Sequence, residues 1–304
     1  ENGKIVSKVL DAELLPVDVR NVDEKMQELF HADFQAVKNF TLTEVGELKE
    51  DLRTSDAYRG MSDYLNLLHT LSLSCEPAQI SFAAPLTFDG EVKAGTVLYN
   101  DLFTIYPYEN QLFVVKMTGR EIKDYLEYSY DAWINTIESA DDRLLKIADR
   151  PDPRTGQKFW SFINRSYNFD SAGGLVYTVD VTKPCGQRVS IQSLADGSAF
   201  DAAAEYDVAM TSYRASGGGS IMREGAGIDT DNIAQRTVAY HPEIREILYE
   251  YLVEHGEIAP EKIGDPAVIG SWKFIPEDLA EKANLSVNYI GMIERAEKIP
   301  SLET

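Results

Sequence analysis

Histidine and cysteine are the residues here best suited to metal or nucleophilic chemistry, and their spacing organises neither. The four histidines are His31, His69, His241 and His255, and none stands in an H-x-H, H-E-x-x-H or G-N-H context. Cys75 and Cys185 lie far apart in different kinds of segment. Two such cysteines make neither a disulfide framework nor a zinc site by themselves, and both are expected to be reduced. His69 falls in the apolar helical run 64–73, where a packed histidine is the expected reading. A serine nucleophile elbow, a phosphate-binding GxxxxGK loop and a dinucleotide fingerprint are all missing. No self-contained catalytic centre is written in the chain.

The elements that would position any site alternate without strict βαβ periodicity. Residues 3–19 alternate apolar and polar positions, as one or two half-buried strands do. Met26, Leu29, Phe30, Phe34, Val37 and Phe40 recur at helical spacing over 21–40, and a second helix is expected over 60–74. A short buried strand over 80–85 precedes turns at Asp89-Gly90 and Gly95. The run 111–117 (QLFVVKM) reads as a strand that turns at Thr118-Gly119 into a helix over 120–133. Residues 138–158 are polar and charged with two prolines, and read as a surface insertion. Strand-like runs follow at 174–182, 187–193 and 205–214, then a helix over 241–255 and an extended tail ending at 272–276. Interleaved strands and helices of this kind predict an α+β class, a mixed β-sheet sandwiched with helices.

The 304 residues carry 29 Lys+Arg against 50 Asp+Glu, a formal charge of −21. A surface that acidic does not seek nucleic-acid phosphates or an anionic membrane, so neither is expected as a partner. No apolar stretch is long enough to span a bilayer, and none reads as a secretory signal. The 44% hydrophobic content supplies a core. The chain opens at Glu1, so it is expected to be a mature or trimmed piece of a longer protein.

Three segments together resemble a known family. They are DLFTIYPYENQLFVVKMTGREIKDYLE (101–127), SYNFDSAGGLVYTVDVTKP (166–184) and YDVAMTSYRASGGG (206–219). In order and content they resemble the C-terminal domain of the 5'-nucleotidase family. The SYNFD and TSYRASGGG wording is most similar to the 2',3'-cyclic-nucleotide 2'-phosphodiesterase/3'-nucleotidase branch. The likeness covers residues 46–276 and implies a layered α/β/β/α domain.

The resemblance implies a base clamped between two aromatic rings, one in the turn Pro107-Tyr108-Glu109-Asn110 and the other Tyr213. Such stacking contributes roughly 1–3 kcal/mol per base and tolerates base identity. Asn110 has the donor and acceptor needed to read a base edge. Gly217, Gly218 and Gly219 would let backbone approach the ligand closely. Arg214 is the cation beside the clamp, expected either to meet a phosphate or to form a structural ion pair. Tyr167, Asn168 and Asp170 are expected to serve structural hydrogen bonding as readily as ligand contact. Two departures from the 5'-nucleotidase pattern favour the cyclic or 3'-nucleotide branch. Gly219 stands where an acidic residue would contact ribose, and SFAAPLTF (81–88) replaces an arginine-bearing glycine-rich segment.

In this family two divalent metal ions sit in an N-terminal catalytic domain, bound through D-x-H, G-N-H and G-H-x-H signatures. These 304 residues contain none of the three. Residues 1–45 are therefore expected to be the end of a catalytic domain plus a helical linker, 46–276 the substrate-binding domain, and 277–304 an appended segment. The expected partners are a nucleotide or nucleoside and the chain's own N-terminal catalytic domain, with no metal or other cofactor bound here. The resemblance places the protein in the periplasm or outside the cell. A non-catalytic binding or scaffold module is the alternative, and a DNA-binding regulator acting through residues 277–304 a remoter one. Residues 277–304 also resemble the helix–turn–helix core of phage-type repressors, with helices over 278–283 and 287–294. Three basic against six acidic residues leave that segment no phosphate-seeking surface.

Overall fold

A computed structural model describes residues 7–13, 23–151, 156 and 158–284. The chain divides into two units, 1–43 and 44–304. In the first, Asp23 caps the helix Glu24–Thr41 by accepting hydrogen bonds from the amides of Lys25 and Met26. The helix buries no residue, and Met26, Leu29, Phe34 and Val37 of its apolar stripe are exposed. Residues 7–13 form no strand, and the rest of the 3–19 strand reading lies outside the described residues.

The second unit is built on a mixed five-stranded sheet. Its order is Thr237–Glu243, Gln111–Thr118, Glu205–Thr211, Ile80–Ala83, Ser171–Gly173, and only the Glu205–Thr211/Ile80–Ala83 pair is parallel. Alternation along Gln111–Thr118 shows why the sheet is covered on both faces. Leu112 and Val114 enter one core while Val115 and Met117 enter the other. The first core lies under the helices Asp63–Leu73 and Ile244–His255, through residues such as Leu68 and Leu248. The second gathers the helix Gly119–Trp133 with a three-stranded sheet of Val189–Leu194, Leu175–Asp180 and Gly270–Ile275.

That second core is dominated by aromatic rings. Phe82 stacks on Tyr125 at 4.0 Å, and Trp133 stacks between Tyr130 at 5.3 Å and Phe169 at 5.8 Å. Each such pair adds about 0.5–1.5 kcal/mol beyond the area it buries. Thr118 and Glu121 close a capping box over the helix Gly119–Trp133, which fixes where the strand gives way to helix.

Within the second unit, two elements depart from the sequence reading. The described part of 138–158 does not lie wholly on the surface: Leu144, Leu145 and Ile147 are buried in the aromatic core, and Ile147–Pro151 pairs with Lys158–Phe162 as a hairpin. A few apolar residues among many charges carry that burial, so no periodic pattern announces it. The helix expected from 241 starts at Ile244, because His241, Pro242 and Glu243 extend the strand Thr237–Glu243. That strand is an edge strand, where proline's missing N–H costs no ladder bond. Downstream, the helix Glu277–Asn284 packs Ala280 and Ala283 into the core beside Gly270–Ile275. The remainder of the helix–turn–helix reading, 287–294, lies outside the described residues. Among those described, no helix is long and apolar enough to cross a membrane.

Candidate functional site

A cavity of about 260 Å³ opens where the parallel strands Ile80–Ala83 and Glu205–Thr211 both end. The carboxyl ends of adjacent parallel strands are where open α/β sheets leave a crevice. Leu68, Ala83, Ala84, Leu86 and Ile244 make much of its wall apolar. The SFAAPLTF segment thus contributes an apolar wall where the 5'-nucleotidase pattern implies an arginine.

Tyr108, in a turn, and Tyr213, in the short helix Ser212–Ala215, reach this cavity from positions 105 residues apart, and they are 39% and 41% exposed. Tyr167 joins them: its ring meets Tyr108 edge-on at 6.1 Å between centroids and Tyr213 at 6.2 Å. Burial and the neighbouring tyrosine phenols raise the pKa of Tyr108 above its ordinary value, so it stays neutral at physiological pH.

Each tyrosine is held by its own arginine. Tyr108 lies in the turn between the helix Asp101–Ile105 and the strand Gln111–Thr118. Arg245 donates through Nη1 to the carbonyls of Tyr106 at 3.2 Å and Tyr108 at 3.4 Å, with its guanidinium 4.3 Å above the Phe103 ring. The Ile244 amide donates to the Asn110 carbonyl at 3.0 Å, so the start of one helix fixes the whole turn.

Arg214 organises the other side. Nε and Nη2 donate to the two oxygens of Asp170 at 2.8 and 2.7 Å; Nη1 donates to Asn168 Oδ1 and the Gly218 carbonyl, and Nη2 also to the Tyr167 carbonyl. All five guanidinium protons are therefore spent on the protein. Burial works against the charged guanidinium, but the Asp170 carboxylate outweighs it and leaves its pKa raised. Asp170 also accepts from the Tyr125 hydroxyl. The Arg214 guanidinium carbon lies 5.4 Å from the centre of the Tyr213 ring, a cation–π distance.

Gly218 and Gly219 pack against these same groups, Gly217 faces Thr230 and Arg223, and none of the three is part of the cavity lining. A Cβ on Gly218 would come within 2.4 Å of the Tyr213 ring, and one on Gly219 within 2.5 Å of Asn168 Oδ1. The close approach that glycine permits is to the tyrosine and its support. Asn110 does line the cavity, with Nδ2 donating to the Tyr106 hydroxyl at 3.2 Å. Sequence reasoning missed Tyr106, Ser72, Thr211 and Arg245. Tyr106 was visible as the aromatic before Pro107. Nothing signals Arg245, whose carbonyl partners lie 139 and 137 residues away.

His69 is buried behind this wall, with Nδ1 2.8 Å from Ser81 Oγ and Nε2 3.1 Å from Ser171 Oγ. Burial pushes its pKa down to about 3. It ties its helix to two sheet strands and does not line the cavity. Cys75 and Cys185 are both free thiols. Among the described residues no group of three His, Cys, Asp or Glu could hold a metal ion, so these residues do not fit the metal pair that the resemblance implies.

The 5'-nucleotidase C-terminal domain profile matches residues 44–224. The chain belongs to this family. Among curated relatives of this domain, the trifunctional nucleotide phosphoesterase protein YfkN of Bacillus subtilis is 29% identical over 198 residues, 61% of this chain but 12% of that protein. The 2',3'-cyclic-nucleotide 2'-phosphodiesterase/3'-nucleotidase of Haemophilus influenzae is 28% identical over 200 residues, 61% of this chain and 27% of its own. The nucleotidase domain therefore spans a minor part of each. The solved 5'-nucleotidase precursor of Thermus thermophilus shares the fold, with a TM-score of 0.56 at 19% identity over 84% of this chain and 44% of that one.

Proposed function

We propose that this domain recognises the base of a nucleotide for a metal-dependent phosphohydrolase, a 5'-nucleotidase or 2',3'-cyclic-nucleotide 2'-phosphodiesterase/3'-nucleotidase, by stacking it between Tyr108 and Tyr213. One observation carries the reading: two half-exposed tyrosines from distant segments line one largely apolar cavity, each beside an arginine. Stacking supplies the affinity and the Asn110 amide meets a base edge. Arg214 acts as a positioning residue, because its protons are consumed and its charge is balanced by Asp170. Gly218 and Gly219 serve the clamp by letting Tyr213 and Arg214 settle against them, while Gly217 faces Thr230 and Arg223.

The phosphate is left to the protein's own catalytic domain, which would hold the two divalent metal ions in the periplasm or outside the cell. Affinity for the isolated domain then depends little on salt, since Arg214, the cation in the cavity lining, is spent on the protein. Calorimetric titration with adenosine and 3'-AMP tests the reading. Saturable binding that Tyr213→Ala weakens roughly fivefold or more supports it, given the usual 1–3 kcal/mol per stacked base. Equal affinity in the variant contradicts it.

A further inference from the structure

Most polar groups around the cavity are already committed. The Ser72 hydroxyl donates to the Leu68 carbonyl at 2.8 Å, and the Thr211 hydroxyl accepts from the Arg214 amide at 3.1 Å. Asp170 is occupied by Arg214 and Tyr125. Thr211 and Tyr106 each accept one hydrogen bond and keep an O–H proton to donate, and of the two Tyr106 is the buried one. It lines the cavity, is only 2% exposed, and its oxygen accepts from Asn110 Nδ2, which leaves its own O–H proton to donate.

We propose that Tyr106 is a specificity-determining residue, whose phenol donates a hydrogen bond to an unprotonated ring nitrogen of the bound base while the Asn110 amide meets the adjoining edge. This inference rests on the base-stacking reading and adds to it the atom class that the cavity selects. A buried donor without an acceptor is costly, and a purine ring nitrogen supplies one. The Asn110 bond to the phenol oxygen polarises the O–H and strengthens it as a donor. Burial holds the Tyr106 pKa well above its ordinary value, so the proton is present throughout the physiological range. Phenylalanine would fill the same space with no donor.

The test is calorimetry on the full chain with adenosine and its 1-, 3- and 7-deaza analogues, each of which replaces one ring nitrogen by C–H. The wild-type chain should lose about three- to tenfold in affinity for one analogue, the range of a single buried neutral hydrogen bond. Tyr106→Phe should lose the same factor for adenosine and nothing further for that analogue. Undiminished affinity of the wild-type chain for all three analogues overturns the proposal, independently of how the variant folds. So does a Tyr106→Phe variant that weakens adenosine and every analogue equally, which marks a structural role through Asn110. Wild-type chain that shows no saturable adenosine binding overturns the base-stacking reading and this inference together. Saturable binding that is sensitive to Tyr213→Ala but not to Tyr106→Phe overturns this inference alone.

Discussion

At the scale of single residues, the Arg214–Asp170 pair sets the site's stability and its order together. Both side chains are buried, and removing one partner leaves the other charged and unpaired. Arg214→Ala should therefore cost about 3–5 kcal/mol in urea unfolding, and adenosine binding should fall with it. His69 makes a second prediction, about pH. Its folded pKa of about 3 lies below the ordinary 6.5, so the unfolded chain takes up a proton that the folded chain refuses. The stability is complete above pH 6.5 and falls on acidification by up to about 1.4 kcal/mol per pH unit, until pH approaches the folded pKa. His69→Gln should flatten the dependence of the urea midpoint between about pH 6 and 4; an unchanged slope would show that other groups carry it. The packed role of His69 was legible because it sits among leucines at helical spacing. The full engagement of Arg214 was not, since three of its partners, Tyr167, Asn168 and Asp170, lie more than forty residues away.

At the scale of elements, a turn and a short helix present the two tyrosines and longer helices hold them. Tyr213, in the helix Ser212–Ala215, can sit where it does because Gly218 offers no Cβ to the ring. In Gly218→Ala the flexible tyrosine is the group that must give way, so adenosine affinity should fall about five- to tenfold, or about 1–1.4 kcal/mol. The unfolding midpoint should move little by comparison. A loss of stability with binding intact would instead make the glycine a backbone requirement. The strand 111–118 and the helix beginning at Gly119 were legible because alternation, capping box and helical period agree over a long run. The hairpin Ile147–Pro151/Lys158–Phe162 was not, because its burial rests on a few residues such as Ile147 and Phe162 packed beneath a charged stretch. The start of the helix Ile244–His255 was misread for a related reason: proline is favoured in a helix's first turn and tolerated on an edge strand, and only the sheet distinguishes the two.

At the scale of the whole molecule, the family and the α+β class were legible from three ordered segments, and the walls of the cavity were not. Leu68, the 83–86 stretch and Ile244 come from three separate parts of the chain, and nothing in their sequence shows that they share a wall. The division of labour proposed here gives the chain binding without turnover. Purified protein supplied with Mg²⁺, Mn²⁺, Co²⁺ or Zn²⁺ should release no phosphate from 3'-AMP, and robust metal-dependent release would contradict that. The overall charge of −21 is compatible with a nucleotide ligand when the base is gripped by neutral rings and Arg214 at the cavity is balanced by a carboxylate. The most direct measurement is a crystal structure of this chain with adenosine or 3'-AMP bound. The account predicts the base lying face-on between the rings of Tyr108 and Tyr213, with its edge toward Asn110 and Tyr106. A ligand bound elsewhere, or in this cavity without contacting both rings, would contradict it.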